Sequence, residues 1–160
     1  MNKLTTAKRV AVISALVEGC SVRSTSRLTG VAKGTILRLL ATVGEACARY
    51  QHEQLTNVAA KRVQIDEIWS FVGAKQKNVT PAMAEKRVMG DIWTFVAIEA
   101  QTKLVLSWML GTRDAACATE FLQDVAGRLR NRIQLTTDGH KMYLSAVEDA
   151  FGGDIDSRCW

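Results

Sequence analysis

Two acidic residues, Asp66 and Asp138, offer the clearest prospect of chemistry in this 160-residue chain. Asp66 lies in the stretch from Lys61 to Val72, where β-branched and aromatic residues predominate and Gly73 follows, the composition of a strand. Alternation sends Val63, Ile65, Glu67, Trp69 and Phe71 to one side, and Gln64, Asp66, Ile68, Ser70 and Val72 to the other. Apolar residues on both sides predict a central, largely buried strand. A carboxylate there is costly unless it is paired, hydrogen-bonded or bound to a cation. Asp138 stands at the tip of a short strand, Ile133–Thr137, and is followed by Gly139 and His140. Two carboxylates at neighbouring strand ends suit Mg²⁺, a hard ion that keeps several waters and needs one or two carboxylates besides substrate phosphates. The plainer alternative is that Asp66 caps or pairs locally and Asp138 forms an Asx turn with Gly139.

The elements that would position these residues alternate along the second half of the chain. After the first strand comes a basic loop with Lys75, Lys77, Lys86 and Arg87, either a solvated stretch or a phosphate clamp, with a turn of helix expected at 82–86. Strands follow at 91–98 and 103–110, and their short connection, 99–102, predicts an antiparallel hairpin. Trp69, Trp93 and Trp108 read as core residues rather than base-stacking platforms. Asp114 can cap a helix running to about residue 130, in which Ala118, Phe121, Leu122, Val125 and Leu129 recur at helical spacing. The strand ending at Thr137 comes next, then a helix over 141–151. Three antiparallel strands followed by a crossover to a strand beside the first predict a mixed α/β sheet with the opening order of a ribonuclease H-like fold.

The first half reads as a separate all-α domain. Apolar spacing predicts helices over 6–18 and 22–28 and a third from about residue 32 to residue 54. In the third, Ile36, Leu39, Leu40, Val43, Ala46 and Cys47 face inward, and Gly44 is a possible break. Residues 21–40 resemble a helix-turn-helix: Ser26 lets two helices cross closely, Gly30 permits the turn, and Ile36 and Leu39 pack the second helix down. Lys33, Thr35 and Arg38 then face outward near the start of the recognition helix, within reach of base edges or phosphates, while Arg23 and Arg27 would serve phosphates. The bland counterpart is a helical hairpin that only packs. The expected domains are 1–55, a linker at 56–62, and a catalytic domain over 63–160.

Charge supports a polyanionic partner. Residues 1–65 carry ten Lys/Arg against three Glu, and residues 66–160 carry eleven against thirteen acidic residues. A basic front half points to double-stranded DNA rather than a membrane surface. No apolar run approaches the roughly 18 residues of a membrane span, and the start lacks a signal-peptide core. Cys20, Cys47, Cys117 and Cys159 are widely spaced, which argues against zinc and for a reducing cytoplasm; with a DNA partner, the expected setting is cytoplasmic and nucleoid-associated.

Several motifs together resemble bacterial transposases of the insertion-sequence-1 type. They are the run from Val63 to Val72, the Ala74-Lys75-Gln76-Lys77-Asn78 segment, Thr137-Asp138-Gly139-His140, and the Cys20-Ser21-Val22-Arg23 and Leu28–Lys33 segments of the helix-turn-helix. The resemblance covers about residues 1–153. It implies an Asp-Asp-Glu enzyme that cleaves DNA at element ends and transfers strands to a target, with Asp66 and Asp138 as catalytic and metal-binding residues. It also implies two Mg²⁺ (or Mn²⁺) ions and a homo-oligomer in any active complex. Glu67 faces the other side of its strand and counts as a neighbour rather than a ligand. His140 would contact substrate phosphate, orient Asp138, or simply serve the turn. The third acidic residue of such enzymes comes from a helix after a fifth strand. Glu148 and Asp149 lie too early for that role, and the tail from Asp154 to Trp160 departs from the family and predicts no strand. The expectation is therefore a truncated or frame-disrupted transposase, or a DNA-binding regulator of transposition derived from one.

Overall fold

A computed structural model of the chain describes residues 4–85, 89–139, 142–152 and 155–159. It divides into two compact units, Met1–Gln54 and Leu55–Trp160.

The first unit holds α1 (Thr6–Val17), α2 (Val22–Thr29) and α3 (Lys33–Gln54). Thr5 and Ser21 cap α1 and α2, each accepting a backbone N–H three residues on. Gly30 ends α2 in the left-handed conformation at φ 68°, where a side chain would be strained. The Ser26 hydroxyl, in the position expected to allow close crossing, donates to the Val31 carbonyl at 2.7 Å and fastens the turn. Val12, Val31 and Ile36 form the core, with Leu4, Leu16, Val22 and Leu39 around them. As the spacing predicts, α3 runs to Gln54 and passes through Gly44 without a break. Its inward set is smaller than expected, since Leu40, Ala46 and Cys47 are exposed. The core of this small unit draws only Ile36 and Leu39 from α3.

The second unit is a mixed five-stranded sheet with helices. Its strands are β1 (Arg62–Val72), β2 (Gly90–Glu99), β3 (Val105–Gly111), β4 (Ile133–Thr137) and β5 (Ile155–Cys159), in the spatial order β3-β2-β1-β4-β5. A four-residue helix, α4 (Pro81–Ala84), lies between β1 and β2; α5 (Ala115–Arg128) follows β3 and α6 (Met142–Phe151) follows β4. The first three strands pair antiparallel, while β4 and β5 run parallel to β1. Asp114 caps α5 as expected, accepting from the Cys117 N–H at 2.9 Å. The tail that predicts no strand is β5, which pairs with β4 from Ile133↔Ile155 to Thr137↔Cys159. The supposed linker is also structured. Val58 and Leu129 form a parallel bridge, and the Asn131 amide donates to the Ala60 carbonyl at 2.7 Å.

One face of the sheet carries the core. Val63, Ile65, Phe95, Ala97 and Leu135 pack against Phe121, Leu122 and Val125 of α5 and Tyr143, Ala146 and Val147 of α6. The other face stays open, with Ile68 and Trp108 exposed and Val96 and Ile98 half-buried. β1 is therefore central but not buried on both sides. Its apolar residues beyond Glu67 on the helix-covered face, Trp69 and Phe71, are also exposed. Of the three tryptophans expected in the core, only Trp93 packs against it.

Candidate active site

Strand register brings the two aspartates together. In the parallel β1–β4 pair, Val63 partners Leu135 and Gln64 partners Thr136. Two residues further on, Asp66 falls level with Asp138, the first residue past the end of β4. Adjacent strands lie about 4.8 Å apart, and matched positions in a parallel pair share a face. Both residues line one cleft of about 570 Å³ with Gln64, Ile65, Ile68, Val96 and Ile98. The floor is apolar sheet and the carboxylates are its acidic groups.

Both aspartates are exposed, so the desolvation cost expected at Asp66 is not incurred. Its Oδ1 accepts the Glu67 N–H at 2.8 Å, a local restraint on the side chain. The buried carboxylate is Glu67, whose side chain is only 1% exposed. A charge there must be compensated. The Tyr143 hydroxyl donates to Glu67 Oε1, and Arg113 Nη2 donates to Glu67 Oε2 at 3.1 Å. The same Arg113 nitrogen donates to Asp138 Oδ2 at 2.8 Å. Arg113 is itself set by Trp93, its guanidinium carbon 4.8 Å from the ring centroid. Burial first, and then the bond to Glu67, push the Tyr143 phenol well above its ordinary range. A chain of charge-assisted contacts thus runs from α6 through the middle of β1 and the β3–α5 connection to the tip of β4.

Arg113 and Tyr143 do not stand out in the sequence. They lie 46 and 76 residues from Glu67, and the only available hint is that an acidic pair needs a counter-charge. Glu67 is confirmed as facing away from Asp66, but it serves as the anchor of the network rather than as a bystander. His140, Lys86 and Arg87 fall outside the described residues. Glu148 and Asp149 are exposed on α6. Among the described residues, no three His, Cys, Asp or Glu side chains gather in a metal-binding cluster. The donor set is a carboxylate pair, which suits an ion that completes its shell with water and phosphate oxygens.

In the first unit, Arg23, Arg27, Lys33 and Arg38 are exposed and Thr35 is half-buried. Arg27 donates to the Ser24 hydroxyl at 3.1 Å and Arg38 to the Thr35 hydroxyl at 3.4 Å. These five residues flank the α2–α3 turn. Among the described residues, no helix is long and apolar enough to cross a membrane. No protein-family model matches the chain, and no curated protein matches it.

Proposed function

We propose that the chain is a DNA transposase of the Asp-Asp-Glu class, resembling the insertion-sequence-1 type, with a ribonuclease H-like catalytic unit and a preceding helix-turn-helix that binds double-stranded DNA. The observation that carries this reading is the cleft shared by Asp66 and Asp138 on the open face of the sheet. A parallel strand placed beside the first of three antiparallel strands accounts for that convergence. The exposed basic residues around the Gly30 turn account for the DNA partner.

Asp66 and Asp138 would hold Mg²⁺ or Mn²⁺, each through a carboxylate open to solvent. When bound, such ions would supply activation of a water or 3′-hydroxyl nucleophile and stabilisation of the leaving oxygen. Glu67 N–H orients the Asp66 carboxylate, and Arg113, paired with both Glu67 and Asp138, fixes the Asp138 carboxylate. The apolar floor of Ile68, Val96 and Ile98 gives the cleft its shape.

The grip of Arg113 on Asp138 favours a second reading, a DNA-binding regulator in which the guanidinium stands where a cation would be needed. One experiment separates the two. Supercoiled plasmid carrying candidate element ends is incubated with the protein and Mn²⁺ or Mg²⁺. The enzyme reading expects nicking that Asp66→Asn and Asp138→Asn each reduce at least about a hundredfold. Duplex binding without metal-dependent nicking would leave the regulator.

A further inference from the structure

β1 continues past the helices that cover its first half. Val63, Ile65 and Glu67 lie beneath them, but the next two residues on that face, Trp69 and Phe71, are 39% and 43% exposed. Their rings sit 5.8 Å apart at 41°. Lys75, just past the Gly73 turn, holds its Nζ 5.1 Å from the centre of the Trp69 ring. Directly across the antiparallel ladder from Trp69 is Trp93, the residue that carries the Arg113 guanidinium. A row on this face therefore extends from Arg113 on Trp93 to Trp69 with Lys75, and ends at Phe71. Trp69 lies three residues along the strand from Asp66, roughly 10 Å, and on the other face of the sheet.

We propose that this row is a binding platform for single-stranded DNA. The exposed rings of Trp69 and Phe71 offer π-faces to unpaired bases, and the Lys75 ammonium beside them attracts the backbone phosphates. A duplex, whose bases already stack on one another, cannot use the rings in this way. An apolar protein partner would use the rings but would gain nothing from the Lys75 ammonium stationed at Trp69. The choice of DNA over RNA rests on the transposase reading; the single-strand preference stands on the rings and the Lys75 ammonium alone.

The test uses the full chain and a short fluorescein-labelled oligothymidine, followed by anisotropy, with a duplex of equal length in parallel. Stacking on one aromatic side chain is worth enough to change affinity by about tenfold. Trp69→Ala should weaken oligothymidine binding by about that factor, and Trp69→Phe should restore most of it. Duplex affinity should not change in either variant. Trp108→Ala removes a ring that is 46% exposed on the opposite face of the sheet, and should leave oligothymidine binding as it was. Lys75→Ala, in an exposed connection, should weaken it by about threefold and decides the matter if Trp69→Ala lowers the melting temperature. Equal single-strand affinity in wild type and these variants would overturn the platform, as would a parallel loss of duplex binding. Tighter binding of oligouridine than of oligothymidine would assign the surface to RNA instead. Plasmid nicking without any Trp69 dependence of single-strand binding removes the platform and leaves the enzyme. The converse result removes the enzyme and leaves the platform.

Discussion

Glu67 shows how one residue can be costly and useful together. Its carboxylate is out of solvent on the helix-covered face, and it is tolerated because Tyr143 and Arg113 both donate to it. Tyr143 therefore links stability to pH. Its phenol is raised, first by burial and then by the Glu67 bond. In the unfolded chain a tyrosine ionises near about pH 10. Above that pH the folded protein retains a proton that the unfolded chain releases, so the folded state binds more protons and stability falls as pH rises. Below it this contribution is fully present. Urea unfolding followed from neutral pH to about pH 11 should show such an alkaline decline. Tyr143→Phe should lose about 1–2 kcal/mol at neutral pH, because it strips a buried carboxylate of a donor, and should flatten the decline. An identical alkaline slope in the variant would mean that Tyr143 does not hold its proton as described.

At the scale of elements, α2 is short and polar, and is fixed mainly by the Ser21 cap, the Gly30 turn and the bond from Ser26 to Val31. Its buried side chain is Thr25, whose hydroxyl meets no hydrogen-bond partner. Replacing that group by a methyl of similar shape removes an uncompensated desolvation cost. Thr25→Val should stabilise the first unit by about 1 kcal/mol, read as a higher urea midpoint; a lower midpoint would show that the hydroxyl is satisfied. The Ser26 crossing and the Gly30 turn of this unit were legible because each depends on residues within a few positions of one another. β1 to β4 were legible for the same reason, since β-branched and aromatic runs carry their own preference for extended backbone. β5 was not, because Ile155 to Cys159 is short and polar and is extended through its pairing with β4. The open face of the sheet was equally hidden: alternation sorts β1 into two sides, but only the positions of α5 and α6 decide which side is covered. At the site, the convergence of Asp66 and Asp138 could be anticipated from strand order. The burial of Glu67 could not, since its partners are set by tertiary packing.

For the molecule as a whole, the division of charge follows the division into units. Up to Gln54 there are eight Lys/Arg against three Glu, and from Leu55 onward thirteen against thirteen acidic residues. A polyanion is therefore drawn first to the α1–α3 unit, while the sheet unit is balanced overall and presents positive charge locally, at Lys75. These two surfaces should differ in what they recognise. Duplex binding through the first unit would neutralise phosphates with Arg23, Arg27, Lys33 and Arg38, all exposed. Four such contacts release counterions with a slope of about −3.6 in log affinity against log salt. Anisotropy titrations of a labelled duplex at increasing NaCl should give a slope of about −3 to −4. Arg38→Ala should make it shallower by about one unit and weaken binding, with the fold unchanged by circular dichroism. Trp69→Ala should leave the duplex slope untouched, because stacking releases no phosphate counterions. A slope near zero, or one that Arg38→Ala does not alter, would remove the α2–α3 face from the DNA-binding account and return those helices to a purely packing role.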